Sequence, residues 1–199
     1  MPDIIFDTSK GVYRFEKSRR IVPQKRIDDL VSKVADRTSI RLGKLASAYA
    51  KGDISLPAWV LESTDEIKAG HRAVSMIASG GKSRMGPREW GSAGARMRSE
   101  LMYFTAFSNE VDTLELGAAF EARAASYGQA VYSTHAQGLA MRHEKDGTAS
   151  TESNILDDGA AHCEGCLEAD AAGEVPLGTL TPIGARDCGS RCRCRIVYS

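Results

Sequence analysis

The chain has 199 residues, 42% hydrophobic and 26% charged, with 26 lysines and arginines against 26 aspartates and glutamates. That length and composition suit one sizeable core or two modest ones, and they exclude the disordered and fibrous classes. The even charge balance gives no global field toward nucleic acid or a membrane surface, so any such role must rest on a local patch.

No apolar h-region follows Met1-Pro2-Asp3, and the longest uncharged apolar runs fall well short of the roughly 20 residues a membrane helix needs. The expectation is a soluble protein made in the cytoplasm, with no membrane partner. Residues 1–22 form an irregular segment with a possible short strand at 3–6. The one basic run lies at 10–26, where Lys10, Arg14, Lys17, Arg19, Arg20, Lys25 and Arg26 alternate with Tyr13 and Phe15. It reads either as a solvated segment over the core or as an extended basic arm, with Lys10, Arg14, Lys17, Arg19 and Arg20 as the cations for a DNA contact.

Pro23 suits a first helical turn. After it Ile27, Leu30, Val31, Val34, Leu42, Leu45 and Tyr49 recur mainly at three- and four-residue steps, predicting a helix to about residue 51, where Gly52 breaks it. Ser55 as cap and Pro57 near the start open a second helix, buried through Trp59, Ile67, His71, Val74, Ile77 and Ala78, and stopped by Gly80-Gly81. A third is expected over 87–112 through Trp90, Met97, Leu101, Phe104 and Val111. A fourth, alanine-rich stretch follows over 114–144, anchored by Leu116, Phe120, Tyr127, Val131 and Leu139. Residues 145–154 are almost wholly polar and read as a linker between a helical body at 23–144 and a tail at 155–199.

All five cysteines fall in that tail: Cys163, Cys166, Cys188, Cys192 and Cys194. Cys-x2-Cys on one turn lets two thiolates reach one ion at about 2.3 Å, and a second cysteine group some twenty residues on completes a tetrahedron. Soft thiolates closing a four-coordinate site favour structural zinc. A tail with few large apolar residues also needs such a staple. Four of the five cysteines are the expected ligands, with Cys163 and Cys166 the firm pair and one of the other three a spare. His162 could substitute but reads first as an exposed neighbour. Disulfides and free thiols remain the alternatives. Arg186, Arg191, Arg193 and Arg195 are expected to face outward between the cysteines. The fold class expected is mainly α, with elongated helices or a helical bundle, and a small C-terminal α+β zinc-binding knot.

Cys163-Glu-Gly-Cys166, the Gly/Pro-rich spacer over 173–184 and the closing Cys192-Arg-Cys194 resemble the C-terminal motif of phage Mu F-like minor head proteins, the head morphogenesis family. Tyr13-Arg-Phe15, the stretch from Gly52 to Trp59, His71, Gly80-Gly81 and Trp90-Gly91 are similar to the helical part of such proteins. One departure stands out. The family places a His-Pro shortly before Cys-Arg-Cys, whereas Cys188-Gly-Ser-Arg stands there in this chain, so Cys188 takes the histidine's place and the exact ligand set stays open. The resemblance implies a virion protein without enzymatic activity. It would act in head assembly at the portal vertex or capsid interior, partner the portal or major capsid protein, influence DNA packaging or ejection, and be present in one or several copies.

Catalytic patterns are weak. Gly80-Gly81-Lys82-Ser83 lacks the glycine spacing of a phosphate loop and reads as a helix-ending turn. His71, His135 and His143 have no carboxylate-nucleophile set near them in sequence and read as core or surface residues. Trp59 and Trp90 read as core anchors. Beside the head-protein reading stand a zinc-stabilised nucleic-acid module and, with least support, an enzyme or toxin-like domain.

Overall fold

The structure is a computed structural model and describes residues 4–183, 186–188, 192 and 194–199. The helical body contains α1 (Gln24–Ala50), α2 (Leu56–Ala78), α3 (Pro87–Asn109), α4 (Ala118–Ser126) and α5 (Val131–Asp146). Helix α2 is central, packing on α1, α3 and α5, while α1 also packs on α4. The expected starts hold: Ser55 caps α2, its side chain accepting from the Ala58 amide, and Pro57 and Pro87 sit in first turns. The stretch over 114–144 is not one helix, since a 3-10 segment, Tyr127–Ala130, joins α4 to α5. A Cβ on Gly128 there would lie 2.3 Å from the Ser39 amide nitrogen, so the close approach to α1 requires glycine.

Two cores fill the body. One gathers Trp59, Phe104, Phe107 and Phe120 with Leu42, Leu45 and Ile67. Trp59 is fully buried, stacked on Tyr49 at 5.4 Å and tilted against Phe104 at 5.3 Å. The other joins Ile27, Val31, Val74, Ile77 and Val131 to an N-terminal sheet. Trp90, expected in the core, is instead 37% exposed on α3, and Leu116 is exposed as well.

Residues 4–22 correct the expectation of an extended arm. They form an antiparallel meander of β1 (Ile4–Asp7), β2 (Val12–Phe15) and β3 (Ile21–Val22). Alternate side chains Ile4, Phe6, Tyr13 and Val22 are buried against the helices, while Lys10, Lys17, Arg19 and Arg20 are exposed in the turns. Arg14 is held by Asp7 at 2.7 Å. Buried Arg142 of α5 clamps the sheet, donating to the Tyr13 hydroxyl and the Ala78 carbonyl and lying 4.0 Å over the Phe6 ring.

The Gly80-Gly81 turn ends α2 as expected, and it receives β1: the Phe6 amide donates to the Gly80 carbonyl at 2.9 Å. Gly80 has φ +82°, and a Cβ there would stand 2.2 Å from Phe6 Cβ. Gly80→Ala is expected to destabilise the body by roughly 2–3 kcal/mol, read as a lowered thermal midpoint.

Residues 145–154 are likewise not a simple linker. After Gly147 ends α5 in the left-handed conformation, β4 (Thr151–Ile155) forms the middle of a second sheet, flanked by β5 (Val175–Pro176) and β6 (Arg195–Tyr198) in the order β5-β4-β6. The short helix α6 (Glu164–Ala171) packs on β4. Tyr198 ties this tail to the body, its hydroxyl donating to the Ala136 carbonyl at 3.1 Å and its ring stacking on His143 at 4.5 Å.

Candidate metal centre

The tail's sheet and α6 set the cysteines in place. Cys163 is the residue just before α6 and Cys166 lies in its first turn, where the Cys166 amide donates to the Cys163 carbonyl at 3.0 Å. This tight turn presents both sulfurs on one side. Cys192 and Cys194 precede β6 rather than lying in it, and pairing of β6 with β4 returns that end of the chain to α6.

All five cysteines are free, and their sulfurs converge. Cys163, Cys166 and Cys188 form one group, and Cys166, Cys192 and Cys194 a second, with the sulfurs in each within 4.8 Å of one another. Cys166 Sγ belongs to both groups, 3.5 Å from Cys188 Sγ and 3.5 Å from Cys192 Sγ. These separations are near the roughly 3.8 Å edge of a tetrahedron with 2.3 Å metal–sulfur bonds. The donor set therefore fits a thiophilic cation, and the cluster could hold a metal ion.

His162 is drawn in as well. It is half-buried, with Nδ1 3.7 Å from Cys194 Sγ, so its role as an exposed neighbour does not hold. Arg186 also departs from expectation: its guanidinium points inward and is buried, donating to the Thr181 carbonyl at 2.8 Å and to Asn154 Oδ1 at 2.7 Å, with Nη1 3.8 Å from Cys166 Sγ. Asn154 of β4 completes the bracket, its amide donating to the Cys166 carbonyl at 3.3 Å. Arg195 is exposed as expected, and Arg191 and Arg193 lie outside the described residues.

The electrostatics centre on Cys166. Burial of the Cys166 thiol opposes ionisation, but donation from Arg186 and from Cys163, Cys188 and Cys192 outweighs it and brings the pKa down to about 6. Burial and its thiol neighbours push Cys188 upward, and burial with Cys166 and Cys192 pushes Cys194 up to about 12. Without a cation the thiolate form is thus favoured at Cys166, the sulfur common to both groups. A divalent ion would relieve the repulsion that raises Cys188 and Cys194.

Beside the cluster, a cleft of about 810 Å³ separates the tail from α5, bordered by Cys192, Cys194, Ile196 and Tyr198 on one side and by His135 and Leu139 on the other. In the body, His71 and His135 are buried; His71 Nδ1 shares a hydrogen with Thr134 Oγ1 at 2.7 Å. Asp157 closes a turn, with the Gly159 amide donating to Asp157 Oδ1 at 2.9 Å. No helix among the described residues is long and apolar enough to cross a membrane. Sequence reasoning missed Asn154 and Arg186 as supports of the cluster; the only signal was an arginine two residues before Cys188 and an asparagine in a polar stretch. No protein-family model, curated protein or solved structure matches the chain.

Proposed function

We propose that the chain is a structural and assembly component of a bacteriophage head. It would be a minor head protein, not an enzyme, acting at the portal vertex or capsid interior in morphogenesis and in DNA packaging or ejection. One observation carries this reading: the cysteines whose spacing resembles the phage minor head motif are the ones whose sulfurs meet. Zinc is the ion, since a set of thiolates suits it and a closed sulfur shell excludes water. The metal holds the tail as a rigid knob on α5, and the helices supply contact surface. Leu61 of α2 and Met102 and Tyr103 of α3 are each more than 60% exposed, apolar side chains available to a protein partner such as the portal or major capsid protein.

The test is affinity capture of the tagged full chain from phage-infected cells. Recovery of the portal or major capsid protein is expected, and capture of neither would overturn the reading. A second reading, a zinc-stabilised DNA-binding module, is favoured by the exposed Lys10, Lys17, Arg19 and Arg20 in the turns of the N-terminal sheet. It requires DNA binding at 50 mM salt that weakens steeply as salt rises. Failure to bind DNA at that salt removes it.

A further inference from the structure

The tail's sheet ends in an open edge. In the order β5-β4-β6, strand β6 is paired on one side only, and the register fixes which of its backbone groups are used there. Thr151 and Ser199 exchange both backbone hydrogen bonds, each at 3.0 Å. Alternation along the ladder then gives the backbone groups of Val197 and Arg195 to β4 and turns the N–H and C=O of Ile196 and Tyr198 outward. No described residue meets those outward groups with a backbone bond.

The cleft of about 810 Å³ lies along this edge. It is lined by Arg195, Ile196, Val197 and Tyr198 and by no residue of β4 or β5. Successive side chains of a strand point to opposite faces, so a cleft that meets all four runs beside β6 and not over one face of the sheet. Its far wall is a stripe of α5, with Tyr132, Ala136 and Leu139 half-buried at helical spacing. The face of β6 that carries Ile196 and Tyr198 looks toward that wall, since the Tyr198 hydroxyl reaches the Ala136 carbonyl. On the opposite face Arg195 is exposed and forms no ion pair with another described residue. A helix standing across from an open strand edge suits a single extended segment better than the whole sheet of a second copy.

We propose that the edge of β6 is a docking site for an extended peptide segment of a partner protein. The segment adds antiparallel to β6 as a fourth strand, its amides and carbonyls pairing with those of Ile196 and Tyr198. Directly opposed residues share a face, so the residues that supply these bonds also turn their side chains toward Tyr132, Ala136 and Leu139, and they are apolar. The residues between them pass Arg195, where a carboxylate is the matching group. The inference needs the tail folded and is independent of the particle the protein serves.

The test is fluorescence anisotropy of labelled peptides Thr-Xaa-Glu-Xaa-Thr-Xaa-Thr, with valine, leucine or phenylalanine at Xaa, on the reduced, zinc-loaded, full-length protein. Saturable binding is expected. N-methylation of the Xaa amides, which face β6, is expected to weaken it at least about 10-fold, and N-methylation of the Thr and Glu amides by less than about 2-fold. Arg195→Glu is expected to weaken binding about 3-fold, restored when lysine replaces the peptide's glutamate. No saturable binding by any of the peptides, or equal loss from the two methylation patterns, overturns the docking site. Protease resistance of residues 151–199 in the same sample separates that result from failure of the metal staple. Dimerisation that Ile196→Pro abolishes, with no peptide bound, overturns the proposal in favour of a second copy, because proline removes the outward amide and spares the β4 ladder.

Discussion

Stripping the metal from fully reduced protein with a chelator is expected to unfold residues 151–199 while the helical body stays folded. The reason lies in what the tail buries. Among its described residues the buried apolar set is Cys166, Ala169, Ile183 and Cys194, and the inward side chains of β4 are the polar Glu152 and Asn154. Glu152 is satisfied by the Leu180 amide at 2.8 Å, which fixes the chain but adds little hydrophobic driving force. Zinc binding to thiolate sites contributes on the order of 10 kcal/mol, far more than burial of so few apolar groups can supply. The body is independent of this, because its two cores are built from α1–α5 and the N-terminal sheet. Cys166→Ser is expected to reproduce the effect of the chelator most fully of the five serine variants. It removes the sulfur common to both groups and leaves Arg186 as a buried cation without its thiolate, a loss of about 3–5 kcal/mol beyond the metal itself. Limited proteolysis with mass mapping is the measurement. New cleavage confined to 151–199 is the expected pattern, and an unchanged digest of the chelated, reduced protein would end the metal-staple account.

The helices were legible in the sequence because their apolar stripes are long and their ends are chemical: stops at Gly52 and Gly80-Gly81, and starts at the prolines 57 and 87. The cysteine cluster was legible from spacing. What stayed hidden depends on partners far along the chain. The N-terminal sheet has strands of two to four residues, too short for alternation to stand out, and the basic residues at its turns dominate the local composition. Strand β4 reads as loop because its buried residues are a glutamate and an asparagine, whose partners Leu180, Cys166 and Arg186 come later in the sequence. Arg186 looked like a surface cation for the same reason. Only the fold reveals that a thiolate and an amide oxygen wait for it inside. Trp90 fails differently, since it lies on the expected stripe of α3 yet is left 37% exposed.

Acidification is expected to destabilise the helical body between about pH 6.5 and pH 4, through His71 and His135. Both are buried, and burial, reinforced by Arg96 for His71 and Arg142 for His135, pulls each pKa from 6.5 down to about 4. Nε2 of each ring has no hydrogen-bond partner, so a proton there would bring a charge into an apolar site with nothing to receive it. The folded state therefore binds fewer protons than the unfolded state across this window. The stabilising contribution is complete above about pH 6.5, declines as the pH falls, and is fully lost below about pH 4. Each histidine accounts for about 3 kcal/mol at most, so the pair can remove a large part of a typical domain's stability. Metal loss from the tail in acid runs in parallel, which makes the comparison between variants decisive. Denaturant midpoints measured from pH 7.5 to 4 for the parent and for His71→Gln isolate the ring, because the cysteine cluster is common to both. The variant is expected to be less stable at pH 7.5, with the Thr134 hydroxyl left to a poorer partner, yet to lose less stability on acidification than the parent, by up to about 3 kcal/mol. Parallel curves for the two proteins would show that the buried imidazole of α2 does not set the acid limit of this fold.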